Sequence, residues 1–271
     1  MWTLIPALAN TIASFVAAYT DFKTGYIYDW ITYPLIGLGI LWSVTQQEWT
    51  GIIFGGIIYG IGYLAYRIGK IGGGDVKLLA GIAIMQPTLN GMIFPLAVLI
   101  VAALAASAGF GIYYAVGLWK KKVKIEWNTQ RKKVAAIMGL SVGIVLFHAA
   151  GSGYYPESFI LTMGGALLFG MIFYALEEEI KKHYFLKWVS VSELEEEEIL
   201  AQEALSEEDR KTWGESVPAL LGAKEIAVLQ TAKIGRVPVY RDLPRFGPFL
   251  FAGVVLTYAL PEWVAVLVPA I

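Results

Sequence analysis

Three acids stand where long apolar segments end: Asp21, Asp29 and Asp75. Two carboxyls held together cannot both ionise cheaply, so a pair shares one proton and supplies a base and an acid in one place. Such a pair can hydrolyse a peptide. The base takes a proton from water as it attacks the carbonyl, and the acid protonates the carbonyl oxygen and then helps the amine leave. The two groups titrate together, so neither receives a fixed role. Asp75 follows Gly72-Gly73-Gly74, and Lys77 lies two residues on. The glycines can take positive φ and carry no side chains, so they are expected to bend the backbone and let a substrate approach. Asp29 opens Asp29-Trp30-Ile31-Thr32 and reads as a helix cap. Capping remains open for Asp75 as well. Lys77 reads as a structural or lipid-phosphate contact, with tuning of the acid pair as the other option.

The elements that must position these residues are apolar helices. Of the 271 residues, 57% are hydrophobic and 16% charged, with a mean hydropathy of +0.60, which excludes an ordinary soluble domain. Apolar runs fall at 3–20, 30–46, 51–69, 75–90, 91–119, 133–150, 157–177 and 246–267. A crossing helix needs about 20 residues. The fourth run is short and passes through Pro87 and Asn90-Gly91, so 75–119 can also be a re-entrant piece followed by one long helix. Met1-Trp2-Thr3 lacks the positive start of a signal peptide, so the first run is expected to be a retained span.

Eight spans with the N-terminus outside would put all 21 Lys and Arg residues in segments 21–29, 67–77, 120–133 and 178–245, on the cytoplasmic face. Asp21 and Asp75 then lie at the same depth at that face, and both termini lie outside. The expected fold is an all-α polytopic membrane protein of about six to eight helices with a small cytoplasmic α+β insertion. Its parts are a helical core over 1–177, an insertion over 178–245 and a final helix over 246–271. Within the insertion, the Glu-rich first part reads as exposed helix with Ser192 and Ser206 as caps. Ile226 to Leu229 and Val237 to Tyr240 read as strands around the turn Lys233-Ile234-Gly235-Arg236. Gly51, Gly55, Gly56, Gly60 and Gly62 have the small-residue spacing that lets helices pack closely.

Other chemistries find little support. The absence of cysteine removes disulfides, thiolate catalysis and cysteine-built zinc sites. His148 and His183 are far apart in the chain, so no metal site is expected. Ser141 and Ser152 have no histidine or lysine placed to activate them. The phosphate-binding GxxxxGK[ST] loop is missing. The basic run from Lys120 to Lys133 reads as a topology signal and a contact for lipid headgroups rather than nucleic acid.

Gly72-Gly73-Gly74-Asp75-Val76-Lys77-Leu78-Leu79 resembles the Gly-x-Gly-Asp motif of intramembrane aspartyl proteases, most closely the type IV prepilin and archaeal preflagellin peptidase family. The segment Asp21, Ile27, Asp29, Ile31, Thr32 and Pro34 resembles that family's first-aspartate region. Leu243-Pro244-Arg245-Phe246-Gly247-Pro248-Phe249-Leu250 resembles the entry to its last helix. The resemblance implies that Asp21 and Asp75 are catalytic, that Gly72, Gly73, Gly74 and Lys77 support the motif or bind substrate, and that no cofactor is needed. It further implies removal of short basic leaders from pilin-like or archaellin precursors at the cytoplasmic face. The four-cysteine loop of bifunctional, N-methylating members is missing, so the chain is similar to the peptidase-only archaeal branch. Against a family core of about six spans, 133–177 would be an added hairpin.

The acidic stretch between Glu177 and Glu215 offers a long-range attraction for a basic leader, beside the plainer reading of a solvated face. Two other functions stay open: an ion- or proton-coupled carrier using Asp21 and Asp75, and a catalytically silent scaffold for surface filaments. A carrier would hold its acids near the bilayer midplane.

Overall fold

The computed structural model describes residues 4–124, 129–153, 157–211, 217–231 and 234–268. Most of them are helical, with a little sheet. Seven long helices come first: α1 (Leu4–Thr24), α2 (Asp29–Gln46), α3 (Thr50–Arg67), α4 (Gly73–Met85), α5 (Phe94–Lys120), α6 (Thr129–Ser152) and α7 (Glu157–Ala175). Between α4 and α5, β1 (Thr88–Leu89) and β2 (Met92–Ile93) form a short antiparallel hairpin. Its turn is Asn90-Gly91, both at positive φ, as a tight two-residue hairpin requires.

The chain divides into two compact units: 4–60, 74–177 and 245–268 in the first, and 61–73 and 178–244 in the second. The first unit has one main core. Ala17 of α1, Ile31 and Leu35 of α2, Leu78, Ile82 and Met85 of α4, Phe94, Val98 and Ala102 of α5, and Leu250 and Val254 of α11 (Gly247–Ala259) pack together. On α3, Gly51 and Gly55 are buried because a side chain at either would run into α4 at Ile84 or Ala80. Gly56 and Gly60 face open space, so of these four the packing pair is Gly51 and Gly55. A second cluster joins Met92, Ala97 and Val101 to Val264 of α12 (Pro261–Ala265) and Val268.

The polarity of this unit is inverted relative to a water-soluble bundle. α1 buries Asn10, Ser14 and Asp21 while exposing Leu4, Leu8, Ile12, Phe15, Tyr19 and Phe22, at steps of three and four residues. In this unit α3 exposes Ile53 and Ile57, and α6 exposes Ile137, Leu140, Ile144 and Phe147. Among the described residues, α5 is the helix long and apolar enough to cross a membrane, with 27 residues and a mean hydropathy of 2.2. Ala135–Gly151, Met163–Ala175 and Gly247–Ala259 are shorter apolar helical stretches. Each of the eight expected runs contains a helix, but the fourth is corrected. At 13 residues, α4 reaches only about 20 Å, short of the roughly 30 Å of hydrocarbon. The helix stops at Met85, before Pro87 and the hairpin.

The second unit contains α8 (Glu177–Ile180), whose first residue belongs to the first unit, and a π-helical turn over Lys181–Phe185. Beyond them come β3 (Leu186–Ser190), β4 (Ile199–Leu200), α9 (Glu207–Asp209), α10 (Ala223–Thr231) and β5 (Arg236–Tyr240). β5 lies between β3 and β4, antiparallel to both. Val189, Val191, Leu200, Val237 and Val239 close a core with Ile226 and Leu229 of α10. Val237 to Tyr240 is a strand, as the sequence suggests. Ile226 to Leu229 is instead helical: its alternation is too short to separate the two periods, and Ile226 and Leu229 lie three apart on one buried helix face. The Glu193–Glu198 stretch is not an exposed helix, since the chain leaves a single 3-10 turn at Val191–Glu193 and runs on to β4. Ser192 therefore caps nothing, whereas Ser206 does cap α9, its Oγ accepting from the Asp209 amide at 3.1 Å. Lys233 of the expected turn lies outside the described residues.

Candidate active site

Asp21 sits in the last turn of α1, four residues before Gly25, which takes a φ of 81° and closes the helix. The Gly25 amide donates to the Asp21 carbonyl at 2.8 Å. Asp21 is 6% exposed. Asp75 sits in the first turn of α4. Ala17, one turn before Asp21, and Leu78, one turn after Asp75, belong to the same core, so both acids lie on helix faces turned toward that core.

The glycines act differently from the expectation. None of Gly72, Gly73 and Gly74 adopts positive φ. Gly74 is needed for space. A Cβ there would fall 2.7 Å from Ile27 Cβ and 2.8 Å from the Ile27 carbonyl oxygen. Lacking one, the start of α4 lies directly against the loop that leaves α1. Gly73 leaves room beside the Tyr66 ring, at 3.3 Å for the nearest ring atom. Gly72 is exposed and precedes α4.

Asp29 is not a cap. Tyr28 occupies the N-cap of α2 without a side-chain hydrogen bond. The Asp29 carboxylate instead pairs with Lys77 at 2.6 Å, and the Lys77 ammonium also lies 5.2 Å from the centre of the Tyr33 ring. The acid therefore holds α2 to α4 across their N-terminal turns. Lys77 takes the structural option, and its ammonium is turned to Asp29.

The two carboxylates differ in their partners. Asp21 Oδ2 accepts from the main-chain amide of Gly247 at 2.8 Å in the buried interior. Asp75 Oδ1 is buried with no hydrogen-bond partner. One acid is thus fixed in direction, while the other buries an oxygen that no protein group pairs. Leaving a buried carboxylate oxygen unpaired is costly, so it marks a position where a water or a substrate group completes the site. In the sequence, the segment around Gly247 stands out only by its resemblance to the entry of the family's last helix. The signal available was Gly-Pro at a helix start, which leaves the Gly247 amide as the free first donor.

Residues 8–122 match the family model described as the type IV leader peptidase family. The matched stretch contains α2, α3, α4, α5 and all of α1 but its first residues, and with them Asp21, Asp29, Asp75 and Lys77. The prepilin peptidase EppA of Methanothermobacter thermautotrophicus is 34% identical over 92 residues. That alignment covers 31% of this chain and 24% of the relative's own length. No solved structure matches the chain.

Proposed function

We propose that this chain is a membrane aspartyl endopeptidase that removes basic leader peptides from prepilin-like or archaellin precursors, with Asp21 and Asp75 as the catalytic pair. The observation that carries the reading is how their helices pack. The helices that carry Asp21 and Asp75 pack into one core through Ala17 and Leu78, and Asp75 buries a carboxylate oxygen without a protein hydrogen bond. The likeness of 8–122 to leader peptidases supports the substrate class. In the reaction, one carboxylate takes a proton from water while the water oxygen bonds to the peptide carbonyl carbon. The other carboxyl protonates the carbonyl oxygen. Collapse of the tetrahedral species breaks the C–N bond, and the amine leaves with a proton from the pair.

A polytopic arrangement agrees with the apolar outer faces of α1, α3 and α6. A carrier is less well supported, because both acids sit at helix ends rather than mid-helix. The test is cleavage of a purified pilin-like precursor with a basic leader by the wild type and by Asp21→Asn, Asp75→Asn and Asp29→Asn. The first two are expected to abolish cleavage and the third to retain it. Cleavage surviving in Asp21→Asn or Asp75→Asn would sink the pair.

A further inference from the structure

We propose that the entry to α11 is a working part of the site: Gly247 and Arg245 are positioning residues that aim the Asp21 carboxylate. The inference rests on the reading of Asp21 and Asp75 as the catalytic pair. It starts from an unmet need at two helix ends. The first amides of a helix and its last carbonyls have no partners within the helix. At the start of α11, Phe246 holds the N-cap position without offering a side-chain acceptor, and the following Pro248 has no amide to donate. The Gly247 amide is therefore free, and it is Asp21 Oδ2 of α1 that accepts it, at 2.8 Å and buried. At the end of α1, the Phe22 carbonyl is likewise unpaired within the helix, and the Arg245 guanidinium donates to it. Two consecutive residues of α1 are thus gripped by two residues of the α11 entry. Each helix supplies the group that the other's end lacks.

The grip leaves no slack. A Cβ at Gly247 would lie 2.8 Å from Asp21 Oδ2, 2.9 Å from its Cβ and 3.2 Å from its Cγ. Gly247 is not at positive φ, so space rather than backbone conformation demands glycine here. Any side chain would push the carboxylate itself. The partner acid has no such restraint, since Asp75 Oδ1 is buried without a hydrogen bond. The result is one carboxylate held in a fixed direction against one with an oxygen left open for water or substrate. Pre-set direction matters because displacing a catalytic group by about 1 Å costs on the order of a hundredfold in rate.

The test measures kcat, KM and melting temperature of the full chain in lipid vesicles, with a purified pilin-like precursor bearing a basic leader. Variants are Gly247→Ala, Arg245→Ala and Arg245→Lys beside Asp21→Asn and Asp75→Asn. Gly247→Ala is expected to lower kcat by about a hundredfold while KM stays at the wild-type value, with a kcat loss well beyond what its lower melting temperature accounts for. Arg245→Ala is expected to lower kcat in the same manner, and Arg245→Lys to recover part of it. Arg245 is exposed, so its variants keep the fold and decide the matter if Gly247→Ala does not fold. Wild-type kcat in Arg245→Ala or in a folded Gly247→Ala overturns the inference. So does a fall in kcat matched by parallel changes in KM and melting temperature, which is what a merely structural contact would give. Full activity in Asp21→Asn or Asp75→Asn would instead overturn the catalytic pair, and the two failures are told apart by which variants stay active.

Discussion

At the scale of single residues, the same residue type does three different jobs. Asp21 is fixed by a main-chain amide, Asp75 keeps an open buried oxygen, and Asp29 pairs with Lys77. The ion pair lies partly in contact with solvent, with side chains 24% and 53% exposed. Exposed pairs contribute about 1 kcal/mol or less. Lys77→Met and Asp29→Asn are therefore each expected to lower the melting temperature slightly and to retain cleavage, with the double variant no worse than either single one. A thermal melt of the four proteins measures the coupling. Gly74→Ala should do far more. A methyl group pressed into Ile27 costs about 1–3 kcal/mol where neither side can give way, and it moves Asp75 with it. Lower melting temperature together with lost cleavage is the expected outcome. The acids could be found from sequence because they stand at the ends of apolar runs. Asp29 was misread because capping and ion pairing use the same carboxylate, and Lys77 reaches it from 48 positions along the chain. The glycines were given the wrong reason for the same cause: flexibility is visible in a sequence, but the approach of another backbone is not.

Among elements, α1, α4 and α11 form the frame that carries the acids, and they are tied again well away from them. Asn10 of α1 donates to the Tyr258 hydroxyl of α11 at 3.3 Å, and that hydroxyl donates to Gln86, just past α4, at 2.6 Å. Asn10 lies eleven residues before Asp21, about 16 Å along the helix. A buried polar chain of this kind specifies which helices meet and in what register. Tyr258→Phe leaves the Gln86 oxygen and the Asn10 amide short of a partner, at about 1–3 kcal/mol. The expected result is a lower melting temperature in detergent with Asp21 and Asp75 untouched, and an unchanged melt would show that the tie carries no weight. The helices themselves were legible from apolar runs, since all eight contain one. Their lengths were not. The end of α4 at Met85 follows from Pro87 and the Asn90-Gly91 hairpin, which the hydropathy of 75–90 hides. In the second unit, Ile226 to Leu229 fits both a strand and a helix, and only the packing of α10 on the small sheet decides between them.

For the molecule as a whole, the sequence spoke most clearly about solvent. Apolar faces turn outward on α1, α3 and α6 while Asn10, Ser14, Asp21, Thr32, Ser43 and Thr257 turn inward, so the bundle suits lipid around it. The second unit has its own core and an acidic surface that includes Glu193, Glu195, Glu196 and Glu207. If that surface draws in basic leaders, changing these four to Gln raises KM at low salt. The difference should vanish near 1 M salt, where charges more than about 3 Å apart no longer feel one another. Equal KM values at low salt would leave the surface a solvating one. The contact between Asp21 and Gly247 spans 226 positions of the chain. A ribosome makes Asp21 and Asp75 early and Gly247 near the end of the 271 residues. On that schedule the Asp21 carboxylate has no amide to hold it until α11 is made, so under the proposed function a chain still short of Gly247 is expected to be inactive.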